Sequence, residues 1–316
     1  MSADRAAPHR AEVVAAARDI IARGSKSFAA ASTLFDRPTR ERAWLLYAWC
    51  RRCDDLADGQ ELGHGMVRVE DPAARLALIR QQTDAALAGE RVDDPAFAAL
   101  GLVAAETGMP RRFVDDLIAG FALDADDWRP RSEDDLHRYC YHVAGVVGCM
   151  MAVVMGVDPA DEETLDRACD LGLAFQLANI ARDLMEDDAA GRCYLPVEWL
   201  VEMDIPPGQH MKPPFRKRLT VLARRLTDRA AAYEESAKAG TPALAYRSAW
   251  AVLAAAGIYG GIARKVAAAG EHAWDHRVAT SRAEKLGHVA RAAAAAAGRG
   301  RFAGRPRGDG LWHRPR

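Results

Sequence analysis

Two short acidic stretches hold the residues whose types and spacing best suit chemistry in this chain of 316 residues. The first reads DDLAD, and the second reads DLMED more than a hundred residues later. On an α-helix, positions i and i+4 share a face, so Asp54 lies beside Asp58 and Asp183 lies beside Asp187. Carboxylate and phosphate oxygens are the ligands that Mg²⁺ prefers. The spacing therefore predicts two facing carboxylate pairs that bind Mg²⁺ ions and, through them, a diphosphate.

An arginine precedes each acidic stretch by one helical turn or less: Arg51 the first and Arg182 the second. Guanidinium groups donate charge-assisted hydrogen bonds to phosphate oxygens. The same residues also fit a structural role, in which arginine–aspartate salt bridges join two helices of a bundle. One stretch alone does not separate these roles, because buried carboxylates need cationic partners in either case. The presence of two similar stretches favours the metal.

Amide and aromatic side chains accompany the acidic stretches. Gln176 and Asn179 lie about two turns and one turn before Asp183, and buried amides usually have hydrogen-bond partners. Departure of a diphosphate leaves a carbocation, which needs a dry, apolar cavity and is stabilised by aromatic faces. The aromatic candidates for that cavity are Phe28, Trp44, Tyr47, Phe175 and Tyr259.

The composition and periodicity of the chain predict an all-α fold. Half of the residues are apolar, alanine dominates, and no alternation of period two is long enough for a strand. We expect a single all-α domain over residues 1–297, with helices that include 39–58, 132–155 and 162–186. The uncharged run 139–157 is long enough to span a membrane, but its polar residues favour a helix buried on all sides.

The balance of charged residues limits which kinds of partner the protein is expected to bind. There are 43 basic and 44 acidic residues, which gives no reason to expect nucleic acid. The first twenty residues lack an apolar signal region, so we expect a cytoplasmic protein. Residues 298–316 contain six arginines and two large aromatic residues. We expect this tail to be disordered and to contact anionic lipid at the inner face of the membrane.

Two other classes of protein also contain helices with buried carboxylates. A ferritin-like di-iron bundle needs paired Glu-x-x-His motifs, whereas only Glu61 and His64 have that spacing, in a glycine-bearing segment. A helical binding protein would use the acidic stretches only for structure. Intact turnover after Asp54 or Asp183 is changed to Asn would favour that second class.

Five stretches of the sequence resemble the squalene/phytoene synthase family, and the resemblance covers about residues 15–290. They are SKSF at 25–28, LYAWCRRCDDLAD at 46–58, YCYHVAGVVG at 139–148, AFQLANIARDLMED at 174–187 and GRCYLP at 191–196. Three later stretches are similar to bacterial phytoene synthases in particular. They are IYGGI at 258–262, AWDHRV at 273–278 and SRAEK at 281–285.

The resemblance implies an isoprenoid (terpenoid) synthase helical bundle around a central cavity. It also implies the first committed step of carotenoid biosynthesis, the Mg²⁺-dependent head-to-head condensation of two geranylgeranyl diphosphates. The cyclopropane prephytoene diphosphate is the intermediate, and 15-cis-phytoene is the product. The alternative is a synthase of dehydrosqualene or presqualene diphosphate that uses farnesyl diphosphate, because substrate length depends on cavity depth.

The resemblance also assigns roles to individual residues. It implies that Asp54, Asp58, Asp183 and Asp187 bind metal and act in catalysis together with Arg51 and Arg182. It implies that the substrate contacts Ser25, Phe28, Tyr47, Gln176, Asn179, Tyr259 and Arg277. The implied cofactor is Mg²⁺, with Mn²⁺ as a substitute and ATP as an accessory that is not hydrolysed. The implied partners are a membrane surface and a downstream carotenoid desaturase.

Overall fold

The structure is a computed structural model that describes residues 10–58, 71–125 and 128–316. In these ranges the chain forms thirteen α-helices and no strand, which confirms the predicted all-α fold. The helices are α1 Arg10–Gly24, α2 Lys26–Ser32, α3 Arg37–Asp58, α4 Pro72–Leu87, α5 Pro95–Thr107, α6 Arg111–Ala125, α7 Glu133–Cys140, α8 Val146–Val154, α9 Glu162–Ala189, α10 Val197–Glu202, α11 Arg216–Lys238, α12 Tyr246–Ala269 and α13 Arg282–Ala297.

The contacts within the chain divide it into two compact units. The first unit contains the described residues up to Ala125 together with Val153–Pro159. The second contains the described residues from 128 to Ala152 together with Ala160–Arg316. Each acidic stretch belongs to a different unit, the first to α3 and the second to α9. The expectation of one domain over residues 1–297 stays a prediction.

Helix α3 organises the first unit and carries the first acidic stretch in its last two turns. The carboxylate of Asp36 caps its start by accepting a hydrogen bond from the Thr39 N–H at 3.0 Å, and Pro38 suits the first turn. The side chain of Trp49 is fully buried and donates from Nε1 to Thr83 Oγ1 of α4 at 3.3 Å. Helix α3 also packs against α1 and α5, so its acidic end extends from a rigid core.

Helix α9 organises the second unit and has 28 residues. The side chain of Asp161 caps it by accepting a hydrogen bond from the Thr164 N–H at 3.1 Å. It packs against α11 and α12, and α12 packs against α13. Because α9 continues without interruption to Ala189, the second acidic stretch lies in its last turns.

The predicted helix over 132–155 is interrupted. Between α7 and α8 the chain forms a π-helical turn, Tyr141–Gly145, so the expectation of one unbroken α-helix is wrong there. This turn crosses α9 at very short range, and a Cβ added to Gly172 would overlap the carbonyl oxygen of Ala144. Such turns are frequent at functional sites. The run of apolar residues continues through the π turn with almost the same spacing. The sequence pattern therefore does not show where the turn lies.

The apolar runs have different surroundings in the structure. The side chains of Tyr141, Val146 and Met150 are fully buried, as expected for a core segment. In the described part of the chain, one helical stretch is long and apolar enough to cross a membrane by length and composition, Tyr246–His272. In the structure this stretch, which begins with α12, packs against α9, α11 and α13.

The basic tail is packed against the second unit, so the expectation of disorder for residues 298–316 is wrong. A 3-10 turn, Arg299–Phe302, follows α13, and the side chains of Phe302, Leu311 and Arg314 are buried. Composition favoured disorder because arginines and glycines dominate the tail. It did not reveal that acidic groups inside the second unit would pair with those arginines.

Candidate active site

The acidic end of α3 forms ion pairs with the arginine one turn earlier. The guanidinium of Arg51 donates to Asp54 Oδ2, and its Nε lies 3.8 Å from Asp55 Oδ1. The Asp54 side chain is 41 % exposed, whereas that of Asp55 is 6 % exposed. Asp58 ends the helix, and its side chain lies outside the described part of the structure. Sequence reasoning missed Asp55 as the buried carboxylate, although its i+4 spacing from Arg51 was available.

The three substrate-binding candidates of the first unit lie together beside Arg51. Ser25 caps α2 by accepting a hydrogen bond from the Phe28 N–H at 3.3 Å. The Phe28 and Tyr47 rings pack edge to face, with 5.5 Å between centroids and 60° between planes. A Cβ on Gly24 would lie 2.7 Å from the Tyr47 hydroxyl, so glycine leaves room for the phenol. Burial raises the pKa of Tyr47, which therefore stays a neutral donor.

The acidic end of α9 is held by two arginines from different parts of the chain. Arg182 donates from Nε to Asp183 Oδ1 at 2.7 Å and forms a second bond to Oδ2. Arg277 donates to the same Oδ1 from Nε at 3.1 Å and from its terminal nitrogen at 3.0 Å. Asp183 is thus surrounded by donors that also suit phosphate oxygens. Arg277 therefore lies at the second acidic stretch, and its contact with substrate stays a prediction.

The segment that carries Arg277 is fixed by a neighbouring tryptophan. The buried side chain of Trp274 donates from Nε1 to the carbonyl oxygen of Ala181 at 3.0 Å. Ala181 directly precedes Arg182 on α9, so this bond ties the segment to the helix beside the acidic stretch. Sequence reasoning gave Trp274 no role, although the residue lies in the AWDHRV stretch that carried part of the resemblance.

Asp187 is a partly buried carboxylate whose neutral form is favoured in the folded protein. Burial raises its pKa from 3.8 to about 7, and the negative charge of Asp183 one turn earlier adds to the effect. Arg192 and Arg182 oppose the shift without cancelling it. A divalent cation beside these two carboxylates would lower the pKa and restore the ionised form. The donor set of Asp183 and Asp187 therefore fits the predicted Mg²⁺, which binds through one or two carboxylates together with substrate phosphates and water.

No group of three or more His, Cys, Asp or Glu side chains suited to bind a metal occurs among the described residues. Within α9 the acidic stretch supplies an aspartate pair, and the α3 pair includes Asp58, whose side chain lies outside the described part of the structure. Such pairs leave most of an Mg²⁺ shell to diphosphate and water oxygens.

The amide and aromatic candidates of the second unit lie on α9 and α12. Asn179 has a buried side-chain oxygen without a hydrogen-bond partner in the structure. Gln176, one turn earlier, is half-buried. The rings of Phe175 and Tyr259 stack with 4.1 Å between centroids and 19° between planes. An orphaned amide oxygen and a stacked aromatic pair are suited to water-mediated phosphate contact and to a hydrophobic wall, respectively.

Asp188, which directly follows Asp187, lies beside a histidine. Asp188 Oδ1 lies 3.5 Å from Nε2 of His210, whose side chain is 2 % exposed. Burial lowers the pKa of His210, which favours the neutral ring. This contact ties the proline-rich loop after α10 to the end of α9, whereas Asp187 keeps the i+4 spacing to Asp183.

Comparison with known proteins agrees with these features. The family model described as squalene/phytoene synthase matches residues 21–284. The 15-cis-phytoene synthase of Enterobacter agglomerans is 47 % identical over 92 % of this chain and 99 % of that protein. The 15-cis-phytoene synthase of Paracoccus sp. is 43 % identical over 96 % of this chain and 98 % of that protein.

A solved structure has the same architecture. A dehydrosqualene synthase crystallised in complex with a ligand aligns with a TM-score of 0.80 and 28 % identity. The alignment covers 90 % of this chain and 96 % of that chain. With the matching family model over 21–284 and near-full-length relatives above 40 % identity, this chain belongs to the squalene/phytoene synthase family.

Proposed function

We propose that the protein is a prenyl transferase that condenses two geranylgeranyl diphosphates head to head and forms 15-cis-phytoene through prephytoene diphosphate. Relatives named 15-cis-phytoene synthase, similar over nearly their whole length, support this substrate. The observation that carries the proposal at the level of the site is the pair Asp183 and Asp187. Arginines whose guanidinium groups suit phosphate oxygens flank this pair, and burial raises the pKa of its Asp187 carboxyl to about 7.

The acidic stretches provide the metal ligands of the proposed reaction. Asp54 and Asp58 on α3, and Asp183 and Asp187 on α9, would hold Mg²⁺. When bound, Mg²⁺ neutralises the negative charge that develops on a departing diphosphate. The ionised form of Asp187 is then favoured, since the cation offsets both its burial and the nearby charge of Asp183.

The arginines bind and orient the diphosphate. Arg51 already contacts Asp54, while Arg182 and Arg277 already converge on Asp183. Their remaining N–H groups are donors of fixed geometry for phosphate oxygens, which lowers the reorganisation needed as charge develops. The amide oxygen of Asn179, which lacks a partner, would accept from a water of the same site.

The aromatic pairs would contact the hydrocarbon chains of the substrate. In the first unit, Phe28 and Tyr47 present an edge and a face, and burial keeps the phenol protonated. In the second unit, the stacked Phe175 and Tyr259 form a flat apolar surface. Such surfaces stabilise a delocalised allylic cation without offering a nucleophile, and they exclude water that would quench it.

The oily substrate and product support peripheral association with the inner face of the cytoplasmic membrane, from which a carotenoid desaturase would take the product. Flotation with anionic and neutral vesicles that contain geranylgeranyl diphosphate tests this association. The protein is expected to float with these vesicles. Recovery of all the protein in the unbound fraction with every vesicle would contradict it.

Product identification tests the function. Purified protein is incubated with Mg²⁺ and geranylgeranyl diphosphate or farnesyl diphosphate, without NADPH, and the extract is analysed by mass spectrometry. A C40 hydrocarbon and two diphosphates released per product are expected from the first substrate. A C30 product from the second, with no C40 product, would instead establish the dehydrosqualene or presqualene alternative. No product from either substrate would refute both.

A further inference from the structure

The C-terminal residues 299–316, called the strap below, are held to the second unit by apolar and backbone contacts. The side chains of Phe302 and Leu311 are 6 % and 8 % exposed. Arg167, itself buried, donates to the carbonyl oxygen of Arg305 at 2.7 Å. Ordering this segment costs conformational entropy and hydration. The complementary groups of the second unit offset that cost.

The first anchor of the strap is an arginine that neutralises a fully buried carboxylate on α9. Asp170 is 0 % exposed and accepts two hydrogen bonds from Arg307, from Nε at 3.0 Å and from a terminal nitrogen at 2.7 Å. The Ser236 hydroxyl donates a third at 2.5 Å. Removal of one member of such a pair leaves a buried charge without compensation, which is strongly destabilising. Asp170 therefore depends on the strap.

The second anchor lies one to two turns nearer the start of the same helix. The Arg314 side chain is 1 % exposed, and its Nε lies 2.7 Å from Asp166 Oδ1. It also pairs with Glu162. The three acidic residues Glu162, Asp166 and Asp170 follow one another at i, i+4 and i+8, so they form one stripe along α9. Arg307, Arg314 and Arg316 of the strap pair with that stripe.

Between the two anchors a tryptophan joins the strap to two more elements. The backbone N–H of Trp312 donates to the Tyr233 hydroxyl of α11 at 3.0 Å. Its indole Nε1 donates to Asp134 Oδ1 of α7 at 2.7 Å. The centroid of its ring lies 5.9 Å from that of Tyr141 in the π turn. The strap thus contacts α7, α9, α11 and the π-helical turn at the same time.

We propose that the strap fixes the position of α9, and that Arg307 and Arg314 are positioning residues for the acidic stretch on that helix. Helix α9 is continuous from Glu162 to Ala189, and Asp183 lies about 20 Å along its axis from Asp170. A rigid helix transmits a shift or tilt at its anchored half to its far end. The buried arginines serve this intramolecular role, so they are not available to lipid headgroups.

The test uses full-length variants and three measurements. The variants are Arg307→Gln, Arg307→Lys, Arg314→Gln and, as a matched control that removes one exposed arginine of the strap, Arg301→Gln. The measurements are amide hydrogen exchange, the melting temperature, and the Mg²⁺ concentration that half-saturates diphosphate release. The third depends on the proposed function, whereas the first two do not.

We expect the Trp312 amide of the unaltered protein to exchange slowly. The two Gln variants should lose roughly 10 °C in melting temperature and need about tenfold more Mg²⁺ for half-saturation. Arg307→Lys should recover part of both losses, because it keeps the charge but not the bidentate geometry. Arg301→Gln should behave like the unaltered protein in all three measurements.

A double variant keeps the test decisive if Arg307→Gln does not fold. Arg307→Gln with Asp170→Asn removes both buried charges, so its melting temperature should exceed that of Arg307→Gln alone while the Mg²⁺ requirement stays raised. Rapid exchange of the Trp312 amide in the unaltered protein would contradict the packing of the strap against the second unit. Folded anchor variants with an unaltered Mg²⁺ requirement and rate would overturn the positioning role. Lack of activity in the unaltered protein would refute the proposed function and leave the exchange result valid.

Discussion

Replacement of Asp187 by Asn should stabilise the metal-free protein while it abolishes activity. The pKa of Asp187 is raised from 3.8 to about 7 by burial and by Asp183, so the folded state binds this proton more tightly than the unfolded state. Between about pH 4 and 7 the folded protein therefore holds more protons, and its stability falls as pH rises through that window. A shift of this size corresponds to at most about 4 kcal/mol, and to about 2 kcal/mol after solvent screening is allowed for.

Urea denaturation in EDTA at pH 4 to 8.5 measures the effect. The free energies of unfolding of Asp187→Asn and the unaltered protein should agree near pH 4, and the variant should be about 2 kcal/mol more stable above pH 7. Glu186→Gln is the matched control, since it removes an exposed carboxylate one residue away. It should show a much smaller divergence, because the charge of Glu186 raises the pKa of Asp187 less than burial and Asp183 do. With Mg²⁺ present, the unaltered protein and the Glu186→Gln control should gain stability, whereas Asp187→Asn should not. A variant less stable than the unaltered protein at pH 8 in EDTA would refute the reasoning.

Two further substitutions probe the surroundings of the second acidic stretch. Arg277→Gln removes both hydrogen bonds from this side chain to Asp183, and steady-state kinetics should show kcat/KM reduced roughly tenfold to a hundredfold; unchanged kinetics would exclude Arg277 from the site. Gly172→Ala places a Cβ against the carbonyl oxygen of Ala144 and should cost about 3 kcal/mol in urea denaturation. Gly300→Ala, where no atom lies within 4 Å of the added Cβ, should cost less than about 0.5 kcal/mol, and equal losses for the two would contradict the close crossing.

The helical architecture and the family were predictable from the sequence because their signals are local. Apolar residues at helical spacing fixed the start of α9 at Glu162, and the two acidic stretches with their arginines carried the resemblance. The metal-binding role of the aspartates stays a prediction. The pairing of Arg277 with Asp183 joins residues 94 positions apart and was not predicted. The resemblance implied only that Arg277 contacts the substrate.

The features that sequence reasoning got wrong depend on tertiary contacts. The π turn at Tyr141–Gly145 lies where the backbone of Ala144 meets Gly172, and no pattern within either segment reports that contact. The tail was expected to be disordered because its composition is basic and glycine-rich. Its order depends on Asp170, a carboxylate more than a hundred residues earlier, whose burial is a property of the fold.

Both acidic stretches are proposed to bind a diphosphate through Mg²⁺. Calorimetric titration with a geranylgeranyl thiolodiphosphate, which cannot readily ionise, measures this binding in the unaltered protein, Asp54→Asn and Asp183→Asn. We expect tight binding that requires Mg²⁺ in the unaltered protein and at least a tenfold weaker affinity in each variant. Binding of equal affinity with EDTA, or in both variants with Mg²⁺, would contradict it.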